Sequence, residues 1–207
     1  MRRTLLWIVL LVLLIVGYSA WPFYALYELV DAVQRRDEAA VAQRLDVPQL
    51  RRHFLEQVLH AYRRIAGAQS NILTEQFAAA VVSSVADPMV AKLATAPAVA
   101  DLLRTGWPGA TLGPKPDGLG GISFDGRAWR LYANSEYGLD EFRLWVPVTA
   151  SSSEQYRVTL TRDGLAWKLS GVRLPDAIQD RLARELIKTE KPGDTRTGPP
   201  LKSSLPD

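Results

Sequence analysis

LDEFRLWVPV, residues 139–148, puts Phe142, Leu144, Val146 and Val148 on one parity and Glu141, Arg143 and Trp145 on the other. Strict alternation over this length predicts a strand with one dry and one wet face. Outward from it the pattern repeats. After a Ser-rich turn at Ala150–Glu154, Tyr156, Val158 and Leu160 alternate with Arg157, Thr159 and Thr161. Asp163-Gly164 is a hairpin turn, and Ala166–Leu174 is the last strand. Its alternation changes phase near Gly171: Trp167 and Leu169 share one parity, Val172 and Leu174 the other. One extra residue there, a β-bulge, returns both pairs to the core. Upstream, Ile122–Phe124, Asp125-Gly126 and Arg127–Tyr132 read as a further hairpin. This half of the chain is expected to form a twisted antiparallel sheet of about four or five strands.

The preceding half carries helical spacing. Leu26, Leu29, Val30 and Val33 recur after a helix start at Ser19-Ala20-Trp21-Pro22. Asp37 is placed to cap a second helix, Glu38–Leu45. Asp46-Val47-Pro48 opens a third, whose stripe is Leu50, Phe54, Val58, Ala61 and Ile65, stopped by Gly67. Ile72–Ala86 reads as a fourth, Asp87-Pro88 opens a fifth and Ala96-Pro97 a sixth. GWPGATLGPKPDGLGG, residues 106–121, is too rich in Gly and Pro for a regular element. Its GLGG end lacks the Lys-Ser/Thr of a phosphate loop, so it reads as a connector, with a lid as the functional alternative. Pro175 starts a terminal helix through Ile178, Leu182, Leu186 and Ile187. Helices first and an antiparallel sheet second make an α+β fold.

No charge occurs between Thr4 and Tyr27, and LLWIVLLVLLIV fills residues 5–16. As a helix, the uncharged run is about 34 Å long, enough for a hydrocarbon core of about 30 Å. The shorter dense part also suits a signal peptide, with cleavage near Ser19 or Ala20 as the alternative. Trp21, Phe23, Tyr24 and Tyr27 follow as an interfacial aromatic cluster. Arg2 and Arg3 precede the run, whereas Glu28 and Asp31 are the first charges after it. The positive-inside rule then places the N-terminus in the cytoplasm and the domain outside. The expected division is a transmembrane signal-anchor at 1–21, an α+β domain at 22–190 and a disordered tail at 191–207. Within the domain, the helical half covers 22–105, the loop 106–121, the sheet 122–174 and the terminal helix 175–190.

The chain has no cysteine, which excludes a disulfide framework, a Cys nucleophile and lipid attachment at a cysteine. Net charge is only +3 and acidic residues are interspersed, so nucleic acid is not an expected partner. No Ser-His-Asp spacing is recognisable. His53, Glu56 and His60 invite a metal test, but histidines seven apart sit two turns away from each other, where adjacent turns are preferred. They read as a solvated helix face, and no metal, cofactor or catalytic residue is assigned. Glu136, Asp140 and Glu141 are the strand-adjacent acids not explained as turn formers, unlike Asp125 and Asp163. Trp129, Tyr132, Tyr137, Phe142, Trp145, Tyr156 and Trp167 are candidates to line a pocket between sheet and helices, with ordinary core packing as the plainer account.

Two blocks carry a family likeness. The first, WPFYALYELVDAVQRRDEAAVAQRLDVPQLRRHF, holds Pro22, Tyr24, Leu26, Leu29, Ala32, Asp37, Leu45 and Pro48. The second holds Tyr137, Phe142, the Trp167-Lys168-Leu169 step and the Val172-x-Leu174-Pro175 ending. Together they resemble the uncharacterised, membrane-anchored bacterial envelope family known as domain of unknown function 2939, over most of Pro22–Pro175. The helix–Asp–helix opening and late Trp-Lys-Leu strand also look like cystatin-like and nuclear-transport-factor-like folds, a likeness of fold alone. The resemblance brings no activity and no catalytic residue. The absence of a recognisable catalytic arrangement and the charge pattern around the span together give the expectation of a noncatalytic domain on the periplasmic side of a bacterial inner membrane, held through residues 5–21. Its expected partner is a small apolar ligand or an envelope protein. The alternatives are a structural or assembly role and, further off, a pocket enzyme with acid–base chemistry.

Overall fold

The computed structural model describes residues 2–66, 86–115, 122 and 128–190. Helix α1 runs from Arg2 to Gln34 without a break. The expected start at Ser19–Pro22 is therefore an interior point, not a terminus. Pro22 has no amide to give the Tyr18 carbonyl. Its ring is buried against the domain, and apolar helical sequence on both sides carries the helix through. The first part of α1 is exposed from Leu5 to Leu14, while Leu26, Leu29, Ala32 and Val33 are buried. The helix is long and apolar enough to cross a membrane, a property it shares with signal sequences.

Two carboxylates set the next turns. Asp37 accepts from the Ala40 amide at 2.9 Å and caps α2, Glu38–Gln43. Asp46 accepts from the Gln49 amide at 3.1 Å at the start of α3, Val47–Ala66. Each satisfies an amide that the first helical turn leaves open. On α3, Leu50, Phe54, Val58 and Ala61 are buried, as their spacing requires. The expected helix at Ile72–Ala86 lies, up to its last residue, outside the described residues. Helices α4, Asp87–Leu93, and α5, Ala96–Thr105, begin at the expected Pro positions. Gly106 ends α5 with φ 70°, a left-handed cap that suits glycine. The following loop does contain a regular element, the short helix α6 at Gly109–Leu112. Buried Trp107 organises it by donating its indole N–H to the Gly113 carbonyl at 2.7 Å. The GLGG stretch lies outside the described residues, as does the tail from 191.

The expected strand at Arg127–Tyr132 is instead helix α7, Ala128–Ala133. The rest of that hairpin, apart from Ile122, lies outside the described residues. Short alternation in AWRLYA does not separate helix from strand. As a helix the segment puts Trp129 and Tyr132, three apart, on one side, where both line the cleft against α1. Strands β1 (Ser135–Tyr137), β2 (Glu141–Val146), β3 (Tyr156–Asp163) and β4 (Ala166–Arg173) form an antiparallel sheet in sequence order, and α8 (Asp176–Glu190) follows. The fold is α+β.

Register aligns the dry rows. Phe142 lies opposite Leu160, Leu144 opposite Val158 and Val146 opposite Tyr156, and all are buried. Between β3 and β4 the register shifts at Thr159/Leu160, leaving Ser170 as the extra residue beside Gly171. Leu169 and Val172 are both buried as a result, the outcome the phase change predicts. The free side of β4 is covered. Leu169 exchanges backbone hydrogen bonds of 2.8 Å with Arg44 and Asp46. Farther along, the Gln57 side-chain amide on α3 donates to Val172 O at 3.0 Å and accepts from Leu174 N at 2.9 Å. An open edge would invite pairing with another chain.

Candidate functional site

Among the hollows of the described residues, two border the sheet and its neighbouring helices. The first is an apolar cleft of about 830 Å³ between α1 and α7. Val16, Ser19, Ala20, Phe23 and Tyr27 come from α1, and Trp129, Leu131 and Tyr132 from α7. Phe23 joins it to the sheet, with ring centroids 6.3 Å from Tyr132, 5.9 Å from Tyr137 and 4.9 Å from Phe142. Polar tips fix the helix to the strands here. The Tyr18 hydroxyl donates to Leu139 O at 2.7 Å, and the Tyr137 hydroxyl donates to Ser19 O. Burial, and then the nearby Tyr132, hold the Tyr137 phenol well above its ordinary range. Trp129 and Tyr132 are each 61% exposed, so the cleft is open on that side.

The seven aromatics expected to line a pocket therefore divide. Trp129 and Tyr132 line this cleft, while Tyr137 and Phe142 join it through the ring cluster around Phe23. Tyr156 and Trp167 are buried in the core. Tyr156 donates to the Gly106 carbonyl, and burial pushes its phenol up to about 12. Trp145 lies on the opposite, polar face of β2. The α1 residues of the cleft are not marked by the sequence as pocket residues. Their one signal is the aromatic cluster at Trp21–Tyr27, which the sequence reading assigns to a membrane interface.

The second hollow, about 510 Å³, lies between α3 and the polar face of the sheet. His53, Glu56, Gln57 and His60 line it from α3, opposite Glu141, Arg143, Arg157, Thr159 and Arg173. The two histidines and Glu56 thus do not face open solvent alone; the sheet stands across from them. His53 packs over Gly171, where an added Cβ would meet the imidazole at 3.0 Å. His53 Nδ1 is 3.9 Å from Glu56, and among the described residues no group of three metal-binding side chains occurs.

The strand-adjacent acids are all engaged. Glu141 takes Arg143 in a two-pronged contact of 2.9 and 2.6 Å, and Glu136 adds a third at 3.1 Å. Those contacts raise the Arg143 guanidinium above its ordinary range, Glu141 first. Asp140 pairs with Arg162 at 2.7 Å. Arg157 is different: it is half-buried, with no hydrogen bond or ion pair among the described residues. Desolvation, then Arg173 and Arg143, pull its guanidinium below the usual arginine range. The sequence holds a signal for this cluster, since all three arginines fall on the polar parity of adjacent strands.

No curated protein and no solved structure matches the chain. A family match covers the helical part and stops ahead of the sheet, short of the Pro175 limit of the sequence resemblance. Residues 11–102, from within α1 into α5, match the family described as protein of unknown function (DUF2939).

Proposed function

We propose that the chain is a membrane-tethered, noncatalytic domain facing the extracytoplasmic side of a bacterial inner membrane. We further propose that its apolar cleft holds one acyl chain of a membrane-derived amphiphile. The observation that carries this reading is the position of the cleft on α1. Thr4–Gly17 is about 14 residues, or about 21 Å of helix, against a hydrocarbon core of about 30 Å. About six more residues complete the crossing, which reaches Phe23. Val16, Ser19, Ala20 and Phe23 are cleft residues within that stretch. The cleft then opens at the depth of the outer-leaflet chains, and its volume falls in the range of ligand pockets, about 300–1,000 Å³. Arg2 and Arg3 before the span support the orientation.

The test is native mass spectrometry of the full chain released from membranes in a mild neutral detergent. A discrete bound amphiphile is expected, with its occupancy lost in Ala20→Phe, which fills the cleft. A clean unliganded mass for the wild-type chain counts against the acyl-chain reading. A reporter active only outside the cytoplasm, fused after Asp207, is expected to score; cytoplasmic activity instead sinks the orientation.

A further inference from the structure

The polar groove between α3 and the sheet is a second candidate, lined by different residues from the cleft. Taking a guanidinium out of water is costly unless it is paired, and native structures rarely leave such a group unmatched. The sheet shows both situations side by side. Arg143 is matched by Glu141 and Glu136. Arg173 has Asp176 at 3.5 Å, on the rim. Arg157, opposite Trp145 on β2 and Arg173 on β4, makes no hydrogen bond or ion pair among the described residues, and Glu141 and Glu136 act on it only at longer range. It sits in a hollow deep enough for a small molecule, facing His53, Gln57 and His60 across the groove. The acids lining that groove are Glu141, already committed to Arg143, and Glu56, whose carboxylate lies on the His53 side. Among the described residues, the position beside Arg157 is thus cationic and donor-rich, and the carboxylates that act on it, Glu141 and Glu136, are both hydrogen-bonded to Arg143.

We propose that this groove binds a soluble oxyanion, a carboxylate or phosphate group, with Arg157 as its central contact and Arg173 as the flanking cation. The planar fork of a guanidinium matches both kinds of oxygen pair. A lipid headgroup offers the same oxygen pair, and the neutral-lipid and phosphatidylglycerol arms of the experiment separate that source from a soluble one.

Isothermal titration of the full chain in phosphatidylcholine nanodiscs tests it, with inorganic phosphate and acetate as probes. Saturable binding of at least one probe is expected. Arg157→Met should weaken it at least about tenfold, the loss expected for a charge-assisted hydrogen bond. Arg35→Met, at an exposed position just past the end of α1, should leave it unchanged. Arg173→Met, at the rim, is expected to weaken binding severalfold and gives an independent reading if Arg157→Met folds poorly. No saturable binding of either anion by the wild-type chain overturns the proposal. So does undiminished binding by a folded Arg157→Met chain. A response only when phosphatidylglycerol replaces the neutral lipid overturns the soluble-ligand assignment.

Discussion

On one face of the sheet, Phe142, Leu144, Val158 and Leu160 are sealed from water; one residue along each strand, Glu141, Arg143 and Arg157 remain partly wet. The dry face is held by area removed from water and by close packing, and each side chain there is satisfied by its neighbours. The wet face is held by pairs of charges, so a single mismatch leaves one group without a counterpart. That group, Arg157, is where a ligand has something to add. The contrast places stability on one side of the strands and recognition on the other.

The sharpest way to break the contrast is a cavity on the dry face. Leu144→Ala is expected to cost about 3–5 kcal/mol, read from the denaturant midpoint, because Leu144 is fully buried. A cost near that of a surface change would show that the face is looser than its burial implies. Next comes alkaline pH. Tyr156 keeps its proton in the folded state up to about 12, against about 10 unfolded. Its contribution is complete below pH about 10 and is lost as pH rises toward about 12, at up to about 1.4 kcal/mol per pH unit. Tyr156→Phe should flatten that part of the stability–pH curve, and an unchanged slope would assign it to other groups.

On the wet face the effects are smaller. Gly171→Ala is expected to cost about 1 kcal/mol, because its Cβ meets the His53 ring and that ring is free enough to give way. The double variant with His53→Ala should recover most of the loss; no recovery would place the clash in the backbone. Arg143→Ala should cost less than about 1 kcal/mol, since its ion pairs are partly solvated. A loss as large as that for Leu144→Ala would erase the distinction between the faces.

The elements with strong local signals were legible in the sequence: the alternation of β2 and β3, the Asp37 cap, the α3 stripe and the bulge beside Gly171. Each follows from a repeat or residue type that acts over a few positions. What depended on remote packing was not. AWRLYA became helical against α1, a Trp-anchored turn formed inside the Gly/Pro loop, and β1, only Ser135–Tyr137, is too short for any period. The site residues divide in the same way. The arginines were visible as polar-parity residues, but their meeting with His53 and His60 needed the lie of α3 along β4. The cleft needed α7 to be a helix before Trp129 and Tyr132 could share a side.

The hydrogen bonds from Tyr18 and Tyr137 across to Leu139 and Ser19 make span and sheet one body. A domain of this size has a radius of gyration of about 15 Å. On the proposed membrane reading, a domain fixed without a stalk to a crossing helix is confined to a thin sheet of space beside the lipid. Its encounters would then become a search in two dimensions, in which molecules confined to the membrane arrive often and those free in the bulk must first come within that layer. Cutting the helix at Ser19 or Ala20 would turn the same fold into a three-dimensional searcher.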